Sequence, residues 1–216
     1  MKTAIVIGAT GLIGNIVTKK LLDDVRYEKI KVFIRKPLGL KNPKLEEYIV
    51  DFNHINDWKE KIIGDELYSV LGTTIKKAGS KEAQYKIDFT YQFEVAKFAA
   101  ENRVGKLSLV SSLGADKSSR NFYLQMKGDL DEAIKQLPFN QIFIFRPSIL
   151  SGERSERRLG ETLGIKIAGA ITTIIPALKK YRPIPAEKVA EAMIKSTNQT
   201  PKEKIIIYEA EEISLI

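Results

Sequence analysis

Cysteine is absent from the 216 residues, and histidine occurs once, as His54. The first absence excludes disulfides, a thiol nucleophile and thiolate metal sites. The second leaves too few imidazoles for a His-based zinc centre or a His-driven triad. His54 itself lies in a polar stretch and reads as exposed. Long apolar runs are missing as well. After Met1-Lys2 an apolar segment starts and breaks at Gly8, too short for the core of a secretory signal. The longest apolar-leaning stretch, Ile165 to Leu178, is interrupted by Lys166, Gly169 and Pro176 and falls short of the ~20 residues a spanning helix needs. No membrane partner is expected. A chain without cysteine is compatible with a reducing compartment, so a cytoplasmic location is the expectation.

Charge of one sign is plentiful but never concentrated. The formal charge is +8, yet no run of five basic residues occurs. The densest stretch, 151–182, holds Arg154, Arg157, Arg158, Lys166, Lys179, Lys180 and Arg182 among three Glu. Zinc-finger spacing, helix-turn-helix and aromatic RNA-binding signatures are all lacking. A solvated, lysine-rich surface is the better reading, and no nucleic-acid partner is expected.

What is present is an alternation. Short β-branched runs at 3–7, 31–34, 47–50, 67–71, 106–111, 141–146 and 204–208 read as buried strands. Helical patterns lie between them near 13–24, 55–63, 82–101, 122–137 and 186–197. In the third of these, Phe89, Phe93, Ala96 and Ala100 fall on one face. Near-continuous apolar strands alternating with helices imply α/β architecture: a Rossmann-type, doubly wound parallel sheet of about six or seven strands, with helices on both faces. Length and composition fit a single domain over 1–216.

The first strand runs into "GATGLIG", Gly8-Ala9-Thr10-Gly11-Leu12-Ile13-Gly14, which opens the first helix. The GxxGxxG spacing departs from GxGxxG, but the same physics applies. One glycine permits the tight turn, the next admits a pyrophosphate, and the third packs helix on strand. The helix N-terminus then offers free N–H groups to the phosphates. At the end of the second strand, where an NAD site usually places an acid, stand Arg35 and Lys36. A guanidinium suits a 2′-phosphate, so NADP(H) is favoured over NAD(H); the bland alternative is a surface cation. The third strand ends in Asp51-Phe52, which would contact adenine, or else Asp51 caps a loop. The fourth ends in Leu71-Gly72-Thr73-Thr74, small enough for a cofactor to lie against backbone.

The fifth strand ends in Ser111-Ser112. Eleven residues on comes Tyr123, with Lys127 one helical turn later. Residues i and i+4 share a helix face, so both side chains can point at one pocket. A phenol with an ordinary pKa near 10 is a poor acid–base group at neutral pH. A neighbouring ammonium favours the phenolate and brings it into range. A serine hydroxyl can then hold a substrate oxygen. Gly128, inside this helix, costs ~1 kcal/mol relative to Ala, which close packing at that turn would rationalise.

These stretches carry a resemblance. "GATGLIG", "LGTTIKKAG" (71–79), "VSSLGADKSSRNFYLQMKGDLDEAI" (110–134) and "IFRPSIL" (144–150) resemble an atypical, extended-type short-chain dehydrogenase/reductase. More narrowly, they are similar to the Tat-interacting-protein oxidoreductases and their bacterial epimerase- or dehydratase-like relatives. The resemblance covers nearly the whole chain. It implies NADP(H) and a Ser-Tyr-Lys triad: Tyr123 as proton donor, Lys127 as its partner and ribose clamp, and Ser112 or Ser111 holding the substrate oxygen. It also implies that Pro147 and Ile149 line the nicotinamide. Larger extended members carry an asparagine in the helix after the fourth strand, where this chain has Asp88, so no proton-relay role carries over.

Residues 151–183 are expected to supply substrate contacts or, equally, a helix used for packing or dimerisation. The leading expectation is an NADP(H)-dependent oxidoreductase for a small carbonyl or alcohol, working as a monomer or homodimer. An epimerase or dehydratase on the same scaffold is one alternative. A dinucleotide-sensing interaction protein with a regulatory protein partner is the other; an intact triad favours an enzyme.

Overall fold

The computed structural model describes residues 1–151 and 182–216. Its seven-stranded sheet is parallel at every described pairing. The strands are β1 (Lys2–Ile7), β2 (Tyr27–Ile34), β3 (Leu45–Ile49), β4 (Glu66–Ser69), β5 (Lys106–Val110), β6 (Gln141–Arg146) and β9 (Ile205–Glu209). The sheet order β3-β2-β1-β4-β5-β6-β9 reverses direction between β1 and β4. A ligand crevice opens at such a switch point, beyond the carboxyl ends of the strands. Two short strands, β7 (Leu150–Ser151) and β8 (Ile184–Pro185), form a separate ladder.

The period-two alternation of β1 explains the layers. Ala4 and Val6 face a cluster formed with α1 (Leu12–Asp23), α6 (Ala186–Thr197) and α7 (Ala210–Leu215), through Val17, Leu21, Val189, Met193 and Ile213. Ile5 and Ile7 face the opposite cluster with Phe33, Trp58, Val95, Ala99, Leu130 and Ile134. There α4 (Tyr91–Glu101) and α5 (Phe122–Lys135) supply the cover. Because both faces of each central strand are buried, the strands carry apolar residues almost continuously.

Two helix expectations are corrected. Residues 55–63 do not form an α-helix: the segment is two 3₁₀ turns, Phe52–Asp57 and Lys59–Lys61, with non-helical backbone at His54. Its Asn and Asp side chains bond locally and favour turns over helix. The stretch 82–101 is not one continuous helix. After the short α2 (Ile75–Ala78) come α3 (Lys81–Tyr85), a π turn over Lys86–Thr90, and then α4. A π turn adds a residue to the helical repeat and rotates the faces beyond it. Gln84, Asp88 and Gln92 are buried, while Phe89 and Phe93 are half-buried against the core and stack on each other at 6.0 Å. Among the described residues no helix is long and apolar enough to cross a membrane.

Candidate active site

At the end of β1 the chain turns through Gly8, whose φ of +87° suits glycine. A Cβ there would lie 2.6 Å from the carbonyl carbon of Val70, so the β1 and β4 turns abut at the switch point. A Cβ on Gly14 would run into the Gly8 carbonyl oxygen, which lets α1 pack tightly on its strand. Gly11 differs: a Cβ would meet only the Gly8 oxygen, at 3.2 Å, and would otherwise project into open space. Thr10 and Gly11 are exposed, and no side chain caps the first turn of α1. An uncapped helix start beside an open glycine is a cradle for a pyrophosphate. Ala9 and Ile13 are buried beneath it, with Leu12 half-buried.

Arg35 and Lys36 extend from the end of β2, exposed and without a polar partner among the described residues. Leu71, Gly72, Thr73 and Thr74 follow β4. The Thr73 N–H donates to Asp88 Oδ1 at 2.8 Å, and the Thr74 side chain caps α2. Phe52 needs correction as an adenine contact, whereas Asp51 caps its turn with a carboxylate that stays largely exposed. The Asp51 carboxylate accepts from Asn53 N–H at 2.8 Å and caps the 3₁₀ turn, which draws its pKa down. The Phe52 ring is buried in the core, packed edge-on against Trp58 and tilted on Tyr91.

Asn121 starts α5 by accepting from the N–H groups of Tyr123 and Leu124. Tyr123 is 37% exposed, whereas Lys127, one turn deeper, is 3% exposed. The Lys127 ammonium donates a long 3.4 Å hydrogen bond to the Val110 carbonyl at the end of β5. That contact ties the tyrosine-bearing face of α5 to the strand that delivers the serines. The two serines part company there. Ser111 is buried, its Oγ without a hydrogen bond; Ser112 is half-buried, its Oγ only 3.5 Å from the Leu113 carbonyl and so nearly free. Of the two, Ser112 is the accessible hydroxyl. Gly128 presses against the Asp116–Lys117 backbone so closely that a Cβ would collide with it, which accounts for a glycine in mid-helix. Pro147 is buried, its carbonyl accepting from Leu113 N–H at 2.9 Å, and Ile149 is exposed beside it.

The structure gives the setting of Asp88 and adds two polar residues, Gln92 and Asp131, that pattern reading missed. Asp88 is buried with Gln84 and Thr73 N–H around its carboxylate. Burial raises its pKa, opposed by the Lys127 charge and the Thr73 N–H. Gln92 accepts from Ser69 Oγ at 2.8 Å. Asp131, one turn past Lys127, is fully buried and ion-paired to Arg146 from the end of β6 at 2.9 Å. Its place at Lys127 plus four was the available signal, though its partner is distant in sequence. Residues 152–181, which hold most of the expected substrate region, lie outside the described residues. Of its cations Arg182 is described, and it is exposed.

No family model matches the chain. Rat Protein HTATIP2 is 30% identical over 174 residues, 79% of this chain and 72% of the rat protein. "Protein FMP52, mitochondrial" of Eremothecium gossypii is 30% identical over 217 residues, covering 97% and 95%. The chain belongs to the HTATIP2 and FMP52 family. Solved structures repeat the fold at low identity. Helicobacter pylori ADP-L-glycero-D-manno-heptose-6-epimerase matches with a TM-score of 0.72 and 17% identity, covering 98% of this chain and 80% of that one. Bordetella bronchiseptica WbmH, solved in complex with NAD+, matches at 0.69 and 15%, covering 97% and 75%. The family also corrects the cytoplasmic expectation. FMP52 relatives from several fungi are mitochondrial by name, and absence of cysteine does not separate one reducing compartment from another.

Proposed function

We propose that this protein is an NADP(H)-dependent oxidoreductase of the short-chain dehydrogenase type, acting on a small carbonyl or alcohol. The observation that carries the reading is one turn of α5. Tyr123 is open to solvent, Lys127 is buried directly behind it, and the accessible Ser112 lies at the end of the adjoining strand. The open Gly11 cradle stands at the same edge of the sheet.

The residues present fit a dinucleotide. The N–H groups at the start of α1 and the Gly11 surface would hold the pyrophosphate. Arg35, with Lys36 beside it, would take the 2′-phosphate, since neither cation has a polar partner to give up among the described residues. Pro147 and Ile149 would lie along the nicotinamide. When bound, the cofactor supplies or accepts the hydride. Ser112 Oγ donates a hydrogen bond to the substrate oxygen and holds it against the phenol. Tyr123 gives that oxygen its proton in reduction and takes it back in oxidation. The Lys127 ammonium favours the phenolate that forms and thereby lowers the barrier to proton transfer.

A screen of NADPH oxidation against small aldehydes, ketones and quinones tests the reading. At least one class should be reduced, with NADPH binding more tightly than NADH. If no carbonyl responds while the dinucleotide changes binding of a protein partner, the chain is a dinucleotide sensor and the enzymatic reading fails.

A further inference from the structure

Gln84, Asp88 and Gln92 stand four residues apart along α3, the π turn and α4, and all three are buried. Together they grip the chain at the end of β4. The Thr73 N–H donates to Asp88 Oδ1 at 2.8 Å, and the Thr73 carbonyl accepts from Gln84 Nε2 at 3.3 Å. Gln84 Nε2 also lies 3.5 Å from Asp88 Oδ2. One turn on, Gln92 Nε2 donates to the Asp88 carbonyl at 2.6 Å. Its Oε1 accepts at 2.8 Å from the hydroxyl of Ser69, the last residue of β4. Both backbone polar groups of Thr73 are thus held by buried side chains from one column. Among the described residues, no backbone–backbone hydrogen bond holds Leu71, Gly72 or Thr73. The side-chain column therefore sets the conformation of this loop.

The loop lies at the switch point, where a Cβ on Gly8 would run into the Val70 carbonyl and the Leu71 nitrogen. Gly72 is exposed, and a Cβ there would meet nothing within 4 Å. Backbone clamped on one side and open on the other is preorganised for a ligand to lie against. We propose that the Gln84–Asp88–Gln92 column is the positioning device of the dinucleotide site: it presets the 71–74 loop as a second wall beside the Gly11 cradle. The inference rests on the reading of a dinucleotide at that cradle. An N–H donating to a carboxylate makes a stronger bond than one donating to an asparagine oxygen, which suits a loop with no ladder of its own. None of the three side chains touches a reacting atom; they act through the loop backbone. Arg35 is the group assigned to the 2′-phosphate, so loss of the column should weaken NADPH and NADH alike.

The test compares Asp88→Ala, Asp88→Asn and Gln84→Met with wild type by two readouts. The first is hydrogen exchange at the Thr73 amide in the free protein, resolved by NMR. Asp88→Ala should cost this amide about 10-fold of its protection, the lower end of what a hydrogen bond to a charged group supplies. Saturating dinucleotide should restore it. The second readout is affinity by calorimetry. Asp88→Ala should bind both dinucleotides about 10-fold more weakly, because apparent affinity falls with the fraction of loop in the competent conformation. Gln84→Met leaves Asp88 in place, tests the same grip if the alanine variant does not fold, and should lose about 2- to 5-fold, as befits a neutral bond. Asp88→Asn keeps an acceptor for Thr73 and should recover most of the loss. Wild-type affinity for both dinucleotides in folded Asp88→Ala and Gln84→Met overturns the proposal. So does a loss confined to NADPH, or an Asp88→Asn no better than Asp88→Ala. A wild-type protein that binds neither dinucleotide instead removes the underlying site, and the proposal with it.

Discussion

Replacing Arg35 with alanine should change which dinucleotide the protein prefers, and the structure sets the scale. Arg35 extends from the end of β2, exposed and without a polar partner among the described residues. Truncating it breaks nothing in the free protein, so stability should change by less than ~0.5 kcal/mol. Its contribution appears only when a 2′-phosphate arrives. A charge-assisted hydrogen bond of that kind is worth about 1.5–3 kcal/mol, or roughly a 10- to 150-fold loss of NADPH affinity. NADH lacks the phosphate, so its affinity should hardly move. Arg35→Lys keeps the charge but loses the bidentate fork and should fall between the two. Because the site is exposed, the gap between wild type and Arg35→Ala should narrow as salt shortens the screening length from ~10 Å at 0.1 M to ~3 Å at 1 M. Titration calorimetry with both dinucleotides at two salt concentrations measures all of this. Equal losses for NADPH and NADH, or no loss for either, would refute the assignment.

Gly11→Val should still fold, because a Cβ at this position meets only the Gly8 oxygen, at 3.2 Å. It should still weaken dinucleotide binding by about 1–3 kcal/mol, as overpacking does; unchanged NADPH affinity in the folded variant would remove the phosphates from this turn. Gly128→Ala should lower Tm. The methyl would collide with the Asp116–Lys117 backbone, and an overpacking cost of ~1–3 kcal/mol exceeds the ~1 kcal/mol that alanine returns to a helix. A variant as stable as wild type would mean the 116–117 loop yields freely.

The sheet was legible because buried strands advertise themselves. "QIFIFR" reads as a strand and is one, over Gln141–Arg146, since a strand covered on both faces needs apolar residues throughout. The helix 186–197 was equally plain, and so was the glycine turn. What the pattern could not carry was non-local. The face through Phe89, Phe93, Ala96 and Ala100 does pack on the core, but the apolar pattern could not show that Asp88 and Gln92, at and beyond the π turn over Lys86–Thr90, are buried as well. Asp51 is the right residue type for either an adenine contact or a cap, and only the path of the chain shows that it caps the turn. Asp131 has a local signal, one turn past Lys127, yet its meaning depends on Arg146 fifteen residues away on another element. The choice of Ser112 over Ser111 likewise waits on burial, which adjacent identical residues cannot encode.

The claim that one turn of α5 performs the chemistry is tested most directly by Tyr123→Phe, measured for turnover and for NADPH affinity on the same preparation. The substitution removes only the phenolic oxygen, which has no hydrogen-bond partner among the described residues, from a side chain that is already 37% exposed. Folding and cofactor affinity should therefore persist. Turnover of whichever carbonyl the wild-type protein reduces should fall by about 10²- to 10⁴-fold, the range supplied by a general acid–base group. Turnover at the wild-type rate with NADPH affinity intact would contradict the account.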